Sequence, residues 1–123
     1  MNKKVKIWGR EFQLKVIFDV FDDEEIMDTQ VAALDAFLGA TENLFKSCDE
    51  LINYCLKRDS DNIGSSIDHI FKYVMPESIY VGRSKRKHVV SLLCNYRYDE
   101  EHGIALTYEN EQLKCIGPQD DIL

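Results

Sequence analysis

This chain of 123 residues has no Cys-x-x-Cys pair, no glycine-rich phosphate loop and no apolar run near the ~20 residues needed to cross a bilayer. Those absences remove the common zinc and redox motifs, the usual nucleotide cradle and a membrane-spanning helix. The start, Met1-Asn2-Lys3-Lys4-Val5-Lys6-Ile7-Trp8, carries the charges of a signal peptide without the long apolar stretch that follows them in one. The expectation is a cytoplasmic protein that does not engage a membrane. An excess of base is also missing. Fifteen Lys and Arg against twenty-two Asp and Glu leave a net charge of −7, which disfavours nucleic acid, whose phosphates need a net basic face. No repeat, linker or low-complexity tract divides the sequence, so one domain over residues 1–123 with a single core is expected.

Four cysteines are present, at 48, 55, 94 and 115, and their spacing fits free, buried thiols in a reducing compartment better than a disulfide framework. Three histidines, His69, His88 and His102, stand apart from each other and from the cysteines, so no metal site is expected. A dyad of Cys94 and His88 is conceivable across a sheet. A reactive thiolate needs an electropositive, accessible setting, however, and an apolar strand face does not offer one. No cofactor is expected.

Hydrophobic periodicity sets the fold. Val5 and Ile7, then Phe12, Leu14, Val16 and Phe18, alternate on either side of Gly9-Arg10, which reads as an antiparallel hairpin. Met27, Val31, Leu34 and Leu38 recur at helical spacing behind an acidic start. A second helix is expected from a Thr41 cap, with Leu44, Cys48, Leu51, Ile52 and Cys55 on its apolar face. A third is expected to open at Ser60 or Asp61, to carry Ile63, Ile67, Ile70 and Val74, and to stop at Pro76. Strand patterns then occupy 78–82, 87–98, 103–109 and 112–116. The expectation is an α+β domain in the order ββαααββββ: a largely antiparallel sheet of about five to six strands, with two to three helices on one face.

What the chain does have in abundance is acid in one place. Asp19, Asp22, Asp23, Glu24, Glu25 and Asp28 fall within ten residues with no base among them, where strand gives way to helix. A second acidic stretch, Asp99, Glu100 and Glu101, occupies a hairpin loop. The first segment lacks the glycine turn and spacing of an EF-hand, which argues against calcium. Negative charge at a helix start explains part of the pattern. The rest fits recruitment of a basic protein, because a fixed acidic patch speeds encounter with a cationic surface. The basic run Arg83-Ser84-Lys85-Arg86-Lys87-His88 reads as a solvated turn, and the tyrosines at 96, 98 and 108 as core packing.

The segments Ile7-Trp8-Gly9-Arg10, Leu14-x-Val16-x-Phe18-Asp19, Gln30, Phe71-x-Tyr73-Val74-Met75-Pro76, Glu101-His102-Gly103-Ile104 and Ile116-Gly117-Pro118-Gln119-Asp120 together resemble a family of small bacterial domains of unknown function. The resemblance covers nearly the whole chain. It implies a small acidic α+β protein of the kind found as immunity partners of secreted toxins, and it supplies no catalytic residues. The expected function is therefore non-enzymatic binding of a basic protein, a toxin among the candidates, by a monomer or homodimer. The alternative is an enzyme or ligand-binding domain with a cleft lined by Arg97, Glu101 and His102. A homo-oligomer built through the 112–116 edge is the third reading.

Overall fold

The computed structural model describes residues 1–40 and 46–121. It contains six strands: β1 (Asn2–Ile7), β2 (Arg10–Phe18), β3 (Val74–Val81), β4 (Val89–Tyr96), β5 (Ile104–Glu109) and β6 (Gln112–Gly117). Two helices, α1 (Asp28–Ala40) and α2 (Lys46–Ile63), form the crossover between β2 and β3. The strands lie in sequence order in one sheet. β2 pairs with β3 in parallel, and the other neighbours pair antiparallel. The fold is α+β with a mostly antiparallel sheet, as the periodicity predicts.

Local chemistry explains the hairpins. Trp8 and Gly9 both take positive φ, 47° and 84°, the backbone of a two-residue turn whose twist matches that of the strands. Trp8 tolerates this because its ring is anchored: the indole N–H donates to the Ser47 hydroxyl at 3.1 Å, and the ring stacks on Phe71 with centroids 5.9 Å apart. Asn110 and Glu111 make the corresponding turn between β5 and β6, with φ of 49° and 66°. Gly103, at φ +60°, opens β5 where a Cβ would lie 2.5 Å from the Cys94 carbonyl oxygen, so the close approach there requires glycine.

The core lies between the sheet and the helices. Leu14, Val16, Ile79, Val81, Val90, Leu92, Cys94, Tyr96, Ile104, Leu106 and Tyr108 meet Ala33, Leu34, Phe37, Leu51 and Cys55 from the helices. Tyr108 packs edge-on against Phe37 at 5.4 Å and donates its hydroxyl to Ser47 at 3.0 Å. An aromatic pair of this kind contributes about 1 kcal/mol beyond its buried area. The tyrosines at 96 and 108 are core residues, as alternation requires. β4 and β5 are buried on both faces: Leu93 and Ala105 lie on the side away from the helices and are still nearly shielded, beside a bond between the Ser91 and Thr107 hydroxyls at 2.9 Å.

Three local expectations change. The buried face of α1 is Gln30, Ala33, Leu34 and Phe37, and Val31 is exposed. The helix is apolar on nearly every side, so its pattern carries little phase, and packing chooses the face. The Thr41 cap and Leu44 lie outside the described residues. The third helix does not form. α2 bends at Asp59 (φ −130°, ψ 34°) and ends at Ile63, followed by Gly64 at φ +103°, a residue suited to terminating a helix. Ile70 and Val74 still reach the core, through a short 3₁₀ turn (Ile70–Lys72) and the first residue of β3. Pro76 sits inside β3, where the register with β4 shifts between Pro76 and Ser78, one of the few places a strand accepts proline.

Candidate functional site

The segment between β2 and α1 is fixed before it is exposed. The backbone N–H of Asp19 donates to the Val81 carbonyl at 2.9 Å, which continues the parallel pairing. Gln30, 1% exposed in the first turn of α1, donates from Nε2 to the carbonyls of Asp19 (3.0 Å) and Val81 (3.4 Å), and its Oε1 accepts from the Met27 N–H at 2.9 Å. One buried amide thus ties both ends of the loop to the end of β3. Between those ties, the Glu24 N–H donates to the Phe21 carbonyl (2.9 Å), and the Glu24 carboxylate accepts from the Phe21 N–H (3.3 Å). The resulting turn holds the Phe21 ring out in solvent, 70% exposed, and Val20, Ile26 and Val31 are exposed in the same stretch. Leaving a phenylalanine outside forgoes about 2 kcal/mol of burial.

The acidic cluster is divided. Glu24 is paired with Arg83, Oε2 to Nη2 at 2.9 Å, and the same guanidinium donates to the Glu25 carbonyl at 3.1 Å. Arg83 is therefore a clamp, not part of a solvated basic turn. Asp19 is half-buried beside Tyr80, whose hydroxyl is pushed up by burial, then by the charge and hydrogen bond of Asp19. Asp22, Asp23, Glu25 and Asp28 are the exposed carboxylates of the cluster. Together with Phe21, Val20 and Ile26 they make a surface both acidic and apolar, at the end of the sheet where β2 and β3 finish.

The second acidic stretch lies at the other end, because β4 runs antiparallel to β3. Asp99 is engaged there. Its Oδ2 accepts from Arg58 Nη2 at 2.7 Å, and its Oδ1 accepts from the backbone N–H and ring Nδ1 of His102 at 3.2 and 3.0 Å. The Arg58 bond, followed by those of His102, holds the Asp99 carboxyl below the usual range. The Asp99 bond, followed by its charge, raises His102, whose Nε2 also lies 3.3 Å from Asp120. The Arg58 guanidinium lies over the Tyr96 ring, and the Tyr96 hydroxyl donates to Asp59, at the bend of α2, at 2.5 Å. Glu101 is exposed, and Glu100 lines an open groove of about 410 Å³ between the start of β3 and the end of β4. The six residues at 19–28 and the three at 99–101 therefore do not form one surface.

Cys94 is fully buried with its thiol pushed up by burial, and Cys55 is raised to about 11 by the same cause. His88 sits at the head of β4 with Nδ1 2.9 Å from Glu111, which places it away from Cys94. Cys115 on β6 is exposed, contrary to the expectation that all four thiols are inside. Arg97 lines the groove, whereas His102 turns to Asp99 and Asp120, so the supposed trio of Arg97, Glu101 and His102 is not assembled. Among the described residues, no group of three or more His, Cys, Asp and Glu could hold a metal, and no helix is long and apolar enough to cross a membrane. Sequence reasoning missed Phe21, Val20 and Ile26 as surface. Their signal was available, as apolar residues interleaved with acid and out of phase with the helix behind them. The Arg83 clamp left none, since its partners are distant in sequence.

A single sheet, backed on one side by a helical crossover and carrying a pinned acidic-apolar loop at one end, defines a small α+β domain. The chain belongs to a family described as Domain of unknown function (DUF6985), whose family model matches residues 1–123. No curated protein and no solved structure matches it.

Proposed function

We propose that this domain is a non-enzymatic, cytoplasmic protein-binding module that masks a basic partner, in the manner of an immunity or antitoxin protein. The observation that carries the reading is the loop from Asp19 to Asp28. It is pinned by Gln30 and Arg83, yet it presents Phe21 at 70% exposure among four exposed carboxylates. A rigid exposed aromatic is the kind of anchor that fills a pocket on a partner, and carboxylates around it steer a cationic surface into register. A loop pinned in advance loses little entropy on binding. The Asp99 to Glu101 stretch is less suited, since Asp99 is already committed to Arg58 and His102. Cytoplasmic residence is supported by four free cysteines.

The test uses the tagged chain as bait for extracts at low and at high salt, comparing the native protein with Phe21→Asp and with Asp22→Lys/Asp23→Lys/Glu25→Lys. The native chain should retain one basic protein, more strongly at low salt. Both variants should lose it by about tenfold or more while keeping the native melting temperature. Undiminished retention by both variants would remove the loop from the interface.

A further inference from the structure

The groove at the opposite end of the sheet has a chemistry of its own. The Arg97 N–H donates to the Tyr73 carbonyl at 2.8 Å, which carries the β3–β4 pairing one step further and sets these two side chains beside each other. Met75 and Asn95 form the next pair in the ladder. Lys72, Arg97 and Glu100 also line the groove, and none of the three is in an ion pair among the described residues. At the same end of the sheet, Arg58, Asp59, Asp99, His102 and Asp120 are all paired. Aromatic faces hold the two cations: the Lys72 ammonium lies 5.9 Å from the Tyr73 ring and the Arg97 guanidinium 5.9 Å from the Tyr98 ring, and those two rings stack on each other at 5.9 Å. Two cationic heads are thus positioned without being neutralised.

We propose that this groove binds a free α-amino acid with an apolar or aromatic side chain. Arg97 and Lys72 take the α-carboxylate, Arg97 offering the planar fork that suits it. Glu100 takes the α-ammonium. Tyr73 and the exposed Met75 supply the apolar wall, while Asn95, also in the lining, is committed to Glu77 at 2.6 Å. A volume of about 410 Å³ is of the size that small-molecule sites have. A simple anion is disfavoured by the unpaired carboxylate of Glu100, and a peptide C-terminus brings no ammonium to meet it. Because the groove and the Phe21 loop occupy opposite ends of the sheet, this proposal stands apart from the protein-binding one.

Calorimetric titration with L-phenylalanine, L-leucine and L-methionine, each beside its amide and its N-acetyl derivative, tests it. At least one free amino acid should bind with a dissociation constant at or below about 1 mM. Its amide and its N-acetyl form should each bind about tenfold more weakly or worse, as should Arg97→Ala and Glu100→Gln toward the parent compound. Phe21→Asp should leave the titration unchanged. Absence of heat for all three at about 10 mM would overturn the proposal. So would N-acetyl forms binding as well as their parents, or a Glu100→Gln variant binding more tightly, since either result describes an anion site.

Discussion

His102 is the side chain whose charge reports most directly on its surroundings. Its two ring nitrogens face Asp99 at 3.0 Å and Asp120 at 3.3 Å, so the protonated ring satisfies both, and its pKa is raised, first by the Asp99 bond. The sign of the linkage follows. What this contact adds to stability is present in full below the ordinary histidine value near 6.5 and is lost as pH rises through the higher folded value. Asp99 works the other way: its contribution stands above the ordinary carboxylate range and is lost as pH falls through its lowered value. An NMR titration of the His102 ring should give a midpoint above 6.5, and Asp99→Asn should bring it down. A native midpoint at or below 6.5 would mean that the Asp99 contact is not held in solution.

At the scale of elements, the β2–α1 connection depends on Gln30. Its amide closes three backbone groups, at Asp19, Met27 and Val81, and a buried polar group stripped of its partner costs about 1–3 kcal/mol. Gln30→Ala should therefore destabilise the domain by about 2 kcal/mol and should raise amide exchange in residues 19–27 ahead of the rest of the sheet, as hydrogen–deuterium exchange will show. Equal protection of that loop in both proteins would place its rigidity elsewhere. This element also shows what could be read in advance. Alternation in β1, β2 and β4 was legible because the face of each strand toward the helices meets the core, and an apolar residue every second position records that, whereas the burial of Ser91 and Leu93 on the other face of β4 was not. The start of α1 was misplaced: the acidic run reads as a helix start, but the helix opens at Asp28, and Asp22, Asp23, Glu24 and Glu25 precede it in a turn and loop. The burial of Gln30 was not legible, because a polar residue at a core position is specified by carbonyls that arrive from β2 and β3. The spacing of Ile63, Ile67, Ile70 and Val74 suggested a helix because inward-facing residues recur on any path that hugs a core. Gly64 and the bend at Asp59 divert this path. Arg83 and Glu24 were legible as charges but not as a pair.

On the scale of the whole molecule, the sheet keeps two charged ends apart. β3 and β4 are each eight residues long, roughly 25 Å at the usual rise per residue. At one end Arg83 holds Glu24 and the Glu25 carbonyl, and at the other Arg58 holds Asp99 and covers Tyr96. Side chains that far apart with no shared partner contribute independently, to within about 0.5 kcal/mol. The Arg58→Ala/Arg83→Ala double variant should thus lose the sum of the two single losses within that margin when unfolded in urea. The Glu24→Ala/Arg83→Ala pair, which removes one contact twice, should lose less than its sum. A larger coupling between Arg58 and Arg83 would mean that the sheet transmits a change from end to end. An amino acid in the groove would then alter the grip of the Phe21 loop on its partner, and the partner would alter the affinity for the amino acid by the same factor. Additivity instead leaves the domain with two surfaces that act without reference to each other.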